Sequence, residues 1–531
     1  MTPSTQPTED SIAGALAPHF DVAFYVRQFE TSPIPEDPLR HYVETGWKEG
    51  LDPHPNFSTQ HYLSMNADVR ERGLNPYWHY VVAGRAERRL PRAVGGMRVE
   101  RLRNLRSLEA IKASWTRKDA YPEALSVDDL SGDARVLAAL RADQVLLSIC
   151  HDHFRQVAGG IQLCVRLEER KMLDHGMGHL AIHPWQPLPT LADRESDGLM
   201  VLHAQGEEIG PVRLDDLGKV IAARTPPQYP ISVAVHSLLG HEPEALSAFL
   251  EGFAPQQVLF WLHDHFTLCE SFTLQRNTVA YCGAPDPASP ACGICIYGET
   301  RATHLDRMAG FFSAMRPLAV APSSFQLDFW RSRADLPRTG EIVHPLATLE
   351  PTTDQPPPPP DDSPRLRIAF LGWPADHKGW DTFCELAQKG RSSGVEFHYF
   401  GSADIVQRGI VAHHVEVSPE RPDAATLAMW TSAIDIVVHW AGWPETFSFT
   451  THEALAADAL VVTSAVSGNV ANLAGQDPRV FVLPDTEALI REVLSGEIAA
   501  LADARRAKRK LSGLIYSGAS ADLVLAGAKR S

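Results

Sequence analysis

Apolar positions along this chain follow three successive rhythms. The first is a repeat. Phe20, Tyr25, Pro38, His41, Tyr42 and Gly46 recur as Phe57, Tyr62, Pro76, His79, Tyr80 and Gly84, a period of about 37 residues that predicts paired short helices stacked as two units over 19–95. The repeated aromatics read as core. The repeated histidines read as satisfied structural groups, with ligand binding as the alternative. The preceding residues, 1–18, are polar and unpatterned and are expected to form a disordered tail. The second rhythm is helical: Val99, Leu102, Leu105, Leu108, Ile111 and Trp115 fall on one face, which predicts an amphipathic connector within 96–140.

From residue 141 the pattern alternates between strand and helix. The runs 144-QVLLSIC-150, 179-HLAIH-183, 230-PISVAVH-236 and 257-QVLFWLH-263 have strand length, and 161-IQLCVRLEERKML-173 is an amphipathic helix. Such alternation implies a parallel sheet covered on both faces, here over 141–350. The stretch 351-PTTDQPPPPPDDSPR-365 interrupts it as an extended linker that cannot join a sheet interior. The same rhythm then restarts over 366–500 with 366-LRIAFLG-372, 395-VEFHYFG-401, 434-IDIVVHW-440 and 459-ALVVTSA-465. Residues 501–531 are expected as a C-terminal helix or tail. The fold class is therefore α/β: two doubly wound, Rossmann-like domains facing across a cleft, behind a small helical repeat domain. Ligands of such sheets bind beyond the carboxyl ends of the strands.

Charge narrows the possible partners. The formal net charge of the 531 residues is −16, which argues against nucleic acid as a partner of the whole chain. Residues 85–118 are the exception, with eleven Lys or Arg against three Glu. This basic helical face is expected either to pack as a connector on the next domain or to lie on an anionic membrane through 99–115. The N-terminus shows no secretory pattern, and no apolar run reaches the ~20 residues needed to span a bilayer. A cytoplasmic location is expected, with peripheral contact at the inner face of the membrane. Seven cysteines are too few for a disulfide scaffold. Four of them, Cys269, Cys282, Cys292 and Cys295, have the spacing C-x12-C-x9-C-x2-C. They are candidates for a structural zinc site, or for packing thiols.

The chemistry concentrates in 435-DIVVHWAGWPETFSFTTHEALAADALVVTSAVSGNVANLA-474. It resembles glycosyltransferase family 4 and related transferases of the GT-B fold, which carry a strand, a Glu-x7-Glu signature entering a helix, a short strand and a small-residue loop. Here these are Glu445, Glu453, 459-ALVVTS-464 and Ser467-Gly468. The resemblance implies a sugar-nucleotide-dependent, retaining transferase with no catalytic metal. Glu445 would hold the donor sugar, and the amides of Phe447, Ser448 and Phe449 a phosphate. Glu453 would hold the ribose, a carboxylate suiting a diol. The competing reading is a capping box, Thr450-x-x-Glu453.

The segment 368-IAFLGWPADHKGWDTF-383 resembles the phosphate-binding loop of the same family, with Lys378 and Gly379. It departs at Trp373, where many relatives carry an arginine. Gly159-Gly160 resembles the glycine loop, and His263 a histidine beneath the donor sugar, with Asp264 and His265 adjacent. The repeats are similar to those preceding glycosyltransferase domains in bacterial polysaccharide-assembly proteins, which implies a glycan or lipid-linked glycan acceptor. Two other readings stay open: a non-catalytic glycan- or partner-binding module, and a GT-B-fold epimerase or phosphorylase.

Overall fold

The computed structural model describes residues 8–26, 28–29, 35–87, 89, 91–92, 101–102, 105–117, 121–194, 198–225, 231–352, 365–390, 393–405 and 409–528. The chain forms two compact units, Met1–Leu105 and Arg106–Ser531.

The smaller unit repeats its interactions as well as its sequence. Each repeat runs from an α-helix directly into a π-helical turn: Pro38–His41 into Tyr42–Gly46, and Pro76–His79 into Tyr80–Gly84. Tyr25 Oη lies 2.8 Å from His41 Nδ1, and Tyr62 Oη lies 3.0 Å from His79 Nδ1. A Cβ on Gly46 would fall 1.9 Å from Tyr25 Oη, and one on Gly84 2.1 Å from Tyr62 Oη. The repeated tyrosine, histidine and glycine are thus one structural lock used twice, and the histidines are satisfied by it. Residues 9–18 are not the expected tail. Glu9–Leu16 is a helix capped by Thr8, which accepts from Ser11 N, and it buries Ile12 and Leu16 in the repeat core. Residues 1–7 lie outside the described residues.

The larger unit contains two doubly wound α/β lobes. In the first, β1 (Val145–Ile149), β2 (Gly178–Pro184), β3 (Leu199–Ala204), β4 (Glu207–Arg213), β5 (Ile231–Val235) and β6 (Gln257–Trp261) are followed by a small hairpin, β7 (Gln275–Arg276) with β8 (Ala280–Tyr281), then by β9 (Leu318–Ala321) and β10 (Gly340–Val343). The sheet order is β10-β9-β6-β5-β1-β2-β3-β4. Pairing is parallel from β10 to β2, and β3 and β4 add an antiparallel edge. Every residue of β1 is buried, as a central strand covered on both faces requires. The lobe begins earlier than residue 141, because Leu130, Val136, Ala139 and Leu140 belong to its core.

Within the basic connector, residues 101–102 are helical and 105–107 are not. Residues 93–100, 103–104 and 118–120 lie outside the described residues, and the helix formed is Leu108–Trp115. It docks on the first lobe. Gln186 donates to Trp115 O at 3.2 Å, and the Arg117 guanidinium lies 4.6 Å from the Trp185 ring.

The second lobe is wholly parallel. Before it, β11 (Ala347–Pro351) leads towards the proline-rich stretch, of which 353–364 lie outside the described residues. Then come β12 (Arg367–Leu371), β13 (Glu396–Gly401), β14 (Ile410–His414), β15 (Ile436–His439), β16 (Leu460–Ser464) and β17 (Val480–Leu483), in the order β14-β13-β12-β15-β16-β17. The C-terminal segment is not a tail: β18 (Ser512–Tyr516) pairs antiparallel with β11. The helix Ser520–Ala528 then returns to the first lobe, where Trp261 Nε1 donates to Ser520 Oγ at 2.8 Å. The chain therefore crosses between lobes twice.

Candidate active site

In each sheet the strand order reverses beside its central strand, between β12 and β15 in the second lobe and between β1 and β5 in the first. Such switch points open a crevice at the carboxyl ends of the strands. The loops leaving these four strands and the neighbouring β6 and β16 carry the candidate residues.

After β12 the chain makes a short 3-10 turn, Asp376–Lys378, and enters the helix Trp380–Lys389 through Gly379. Gly379 has φ +88°, and a Cβ there would lie 2.2 Å from Trp440 O. Only glycine lets this loop close onto the loop that follows β15. The closure brings Lys378 Nζ to 2.6 Å from Glu445 Oε1. Trp443 Nε1 donates to the same oxygen at 3.1 Å, and His439 Nε2 lies 3.6 Å from it. Burial would raise the Glu445 carboxyl, but the Lys378 ammonium and His439 outweigh it and hold it down at about 2. Lys378 also lies 5.0 Å from the Trp443 ring centroid, and a third of its side chain stays exposed.

The backbone of Glu445 is fixed from beneath. It bridges to Gly468, and Asn469 N donates to Glu445 O at 2.8 Å. Gly468 has φ +63°, and a Cβ there would fall 2.6 Å from Pro444. Ser467 is fully buried, its hydroxyl 3.2 Å from Ala441 O and 2.9 Å from Ser464 Oγ. Ser467 and Gly468, expected as donor-binding residues, thus shape the Glu445 loop in this structure.

The helix Phe449–Ala456 is capped by Ser448, whose Oγ accepts from Thr451 N at 3.2 Å. The capping box on Thr450 and Glu453 therefore does not form, because the helix begins two residues earlier than that motif requires. Glu453 instead accepts from Tyr516 Oη of β18 at 2.7 Å. Burial raises its carboxyl to about 7, against the lowering effect of that hydrogen bond. The amides that open this helix have no intrahelical acceptors. The rings of Phe447 and Phe449 pack against the core of the first lobe. Trp373, the departure from the family pattern, is 62% exposed.

Across the crevice, Gly159 and Gly160 are exposed at the start of the helix Gly160–Asp174. A Cβ on Gly160 would sit 3.6 Å from the Phe449 ring, so two helix starts converge from opposite lobes. His263 follows β6. Its ring stacks on Trp261 at 4.9 Å and 4°, and its Nε2 lies 2.9 Å from His236 Nδ1. His236 Nε2 in turn donates to Glu168 Oε2 at 2.9 Å. Glu168 is fully buried and also accepts from Ser148 Oγ at 2.8 Å and Ser520 N at 2.6 Å.

The Glu168 carboxylate can only accept, so His236 carries a proton on Nε2 and the two imidazoles form one hydrogen-bonded chain ending at His263. Burial, with His236 and His151 nearby, holds His263 far below the usual histidine range and so neutral. His265 donates from Nε2 to Pro444 O at 2.9 Å, and Ser323 Oγ donates to Thr446 O at 2.7 Å. Both pin the Glu445 loop to the first lobe. Asp264 is pushed up to about 6 by burial, against the opposing hydrogen bond it accepts from Phe266 N.

Sequence reasoning missed Glu168, His236, His439, Trp443 and Tyr516. Glu168 had a signal: it sits four residues from both Cys164 and Met172 on the buried stripe of its helix, where an unpaired carboxylate is costly. Tyr516 had none.

The four cysteines face one narrow cavity together with Arg301, whose guanidinium approaches Cys292 Sγ to 2.8 Å. Burial, with Cys282 and Cys295 adding, pushes the Cys269 thiol up to about 12, against the hydrogen bond from Ser271 and the charge of Arg301. Among the described residues, the group with three ligand atoms within 4.8 Å of one another is not this one but His153, His183 and His203.

No protein-family model matches the sequence, and no curated protein matches it. Among solved structures, sucrose-phosphate synthase from Thermosynechococcus elongatus overlaps with a TM-score of 0.44 at 13% identity, over 72% of this chain and 98% of that one. HepE from Anabaena in complex with UDP-glucose overlaps at 0.42 and 12%, over 73% and 100%. A glycosyltransferase from Rickettsia africae overlaps at 0.40 and 12%, over 70% and 95%. Overlaps this loose say nothing of substrate, so the chemistry has to be read from the side chains of this chain.

Proposed function

We propose that this protein transfers a sugar from a nucleotide-sugar donor to a glycan acceptor. The observation that carries the reading is the Lys378–Glu445 pair at the β12–β15 switch point, with Lys378 Nζ 2.6 Å from a buried carboxylate and still partly exposed. A diphosphate entering the crevice would share the ammonium with Glu445 and meet the amides at the start of Phe449–Ala456. Glu445, held ionised, would then accept from sugar hydroxyls, and Glu453 would accept from the ribose. Catalysis is positioning plus stabilisation of the departing diphosphate.

Retention of configuration, as in family 4, is part of the proposal. So are a lipid-linked acceptor in surface polysaccharide or glycoconjugate synthesis, and contact of the basic segment 99–115 with the inner face of the membrane. No described helix is long and apolar enough to cross a membrane.

One observation favours a second reading. Trp373 leaves the phosphate end of the site with an exposed indole where relatives carry a cation, as a non-catalytic glycan-binding module would tolerate. Calorimetric titration with UDP, GDP, ADP and dTDP, followed by turnover assays with sugars on the winning base, separates the two. Tight binding of one nucleotide, lost in Lys378→Ala, supports the transferase. No binding of any, with glycan still bound, sinks it.

A further inference from the structure

A second cluster lies on the first lobe, beyond the donor residues. His183 on β2 and His203 on β3 share a sheet face: β2 and β3 run antiparallel with Ala181 opposite His203 and Val201 opposite His183, which makes the two histidines diagonal neighbours. His153, in the loop after β1, closes the triangle. The ring centroids lie 4.9 to 5.5 Å apart, and each ring offers a nitrogen within 4.8 Å of the other two.

The hydrogen bonding of these rings is incomplete. His203 is fully buried, and neither of its ring nitrogens has a partner; the Nε2 of His183, itself 1% exposed, has none either. Buried polar groups are normally satisfied, and two adjacent buried rings with unpartnered nitrogens require an explanation. His153 is already oriented, because its Nε2 donates to Glu208 Oε2 at 3.0 Å; its Nδ1 accepts a 3.3 Å hydrogen bond from Arg155 N, which a bound ion would replace. A carboxylate holding the far nitrogen of an imidazole is a recurrent support of metal-ligating histidine. Of the positive groups that face the cluster, Arg155 is paired with Glu169, and Arg117 is stacked on Trp185.

We propose that His153, His183 and His203 bind one divalent transition-metal ion of the zinc class, with Glu208 as the carboxylate that orients His153. Three imidazoles suit such an ion and leave a fourth position open. The ion would tie the β2–β3 edge to the segment 151–158, which leads into Gly159 and Gly160, and so fix the glycine start of the helix that faces the second lobe. It does not depend on the transferase reading.

The test uses full-length protein without a histidine tag, stripped with chelator and titrated with Co²⁺ and then Zn²⁺, with metal counted by mass spectrometry. One equivalent is expected, with visible cobalt bands of nitrogen–oxygen ligation, no thiolate charge-transfer band, and a raised melting temperature. His153→Ala should abolish it. Glu208→Gln, at a half-exposed surface position, should weaken it about 10- to 100-fold. Cys292→Ser combined with Cys295→Ser should leave it unchanged. Failure to bind one equivalent overturns the proposal. So does an equivalent that survives both His153→Ala and Glu208→Gln, or one that disappears with the cysteines and carries a thiolate band.

Discussion

The two lobes meet at equivalent points of equivalent sheets and present opposite chemistry. The second lobe offers charge: the Lys378 ammonium, the ionised Glu445, and Glu453 on a helix whose first amides point at the crevice. The first lobe offers a glycine helix start and the neutral His263 imidazole, linked through His236 to a buried carboxylate. A reaction that expels a diphosphate needs cationic stabilisation only on the side where the leaving group develops charge. On the other side, a neutral ring such as His263 can hydrogen-bond a sugar hydroxyl without attracting phosphate to the wrong lobe. The asymmetry assigns the lobes different duties, and each can be removed separately.

The largest effect is expected from Lys378→Ala. Turnover should fall by about 10²–10³, the usual consequence of losing one preorganised stabilising group, and nucleotide affinity should fall with it. The substitution also leaves Glu445 buried without its cation. Discounted for the partial exposure of Lys378, this should cost about 1–3 kcal/mol in a denaturant titration. If turnover and affinity are both unchanged, the charge does not belong to the second lobe and the comparison fails.

His236→Gln attacks the other side. It cuts the relay between Glu168 and His263, so about a tenfold loss of turnover is expected, with nucleotide affinity measured by calorimetry unchanged. Equal losses in turnover and nucleotide affinity would mean that the first lobe also holds the leaving group.

Glu453 gives a pH signature. Its carboxyl ionises near 4.5 in the unfolded chain and near 7 in the folded one. Below 4.5 both states are protonated and its contribution is fully present. From there to about 7 the unfolded state sheds the proton first, so stability declines and is lost by neutral pH. Glu453→Gln should therefore stabilise the ligand-free protein at pH 8 by up to about 3 kcal/mol while leaving pH 4 unaffected. Nucleotide binding to the unmodified protein near pH 6.5 should release protons, seen as a calorimetric heat that changes with the ionisation enthalpy of the buffer, because ribose hydroxyls stabilise the carboxylate. A heat that ignores the buffer would remove Glu453 from the ribose site.

The second lobe was the legible one for a physical reason. Its site is built from two local segments, 372–379 and 443–453, in which strand, glycine, charge and helix start follow one another along the chain. The site of the first lobe is assembled from residues far apart in sequence, Glu168, His236 and His263, each unremarkable in its own run. The antiparallel edge β3–β4 and the return of β18 bring in His203 and Tyr516 by tertiary pairing that no periodicity encodes. The same limit explains residues 9–16, whose two buried apolar side chains are too few to mark a helix by pattern.

Trp373 gives the smallest and most discriminating change. The position follows Gly372, whose own Cβ would lie 3.2 Å from Thr450 Cγ2 at the opening turn of the helix Phe449–Ala456. An arginine here would add a second cation to the region proposed for Lys378. Because the site is 62% exposed, a new charge contact should contribute only about 0.5–1 kcal/mol, a two- to fivefold gain in nucleoside-diphosphate affinity that fades with added salt. If Trp373→Arg sharpens binding and turnover rises with it, the natural indole marks a weakened but working phosphate site. If affinity rises and turnover stays absent, the second lobe has kept recognition without reaction, and the division of labour between the lobes describes a binding module. If neither moves, the diphosphate does not pass over Gly372, and the Lys378–Glu445 pair must be read as a structural clamp.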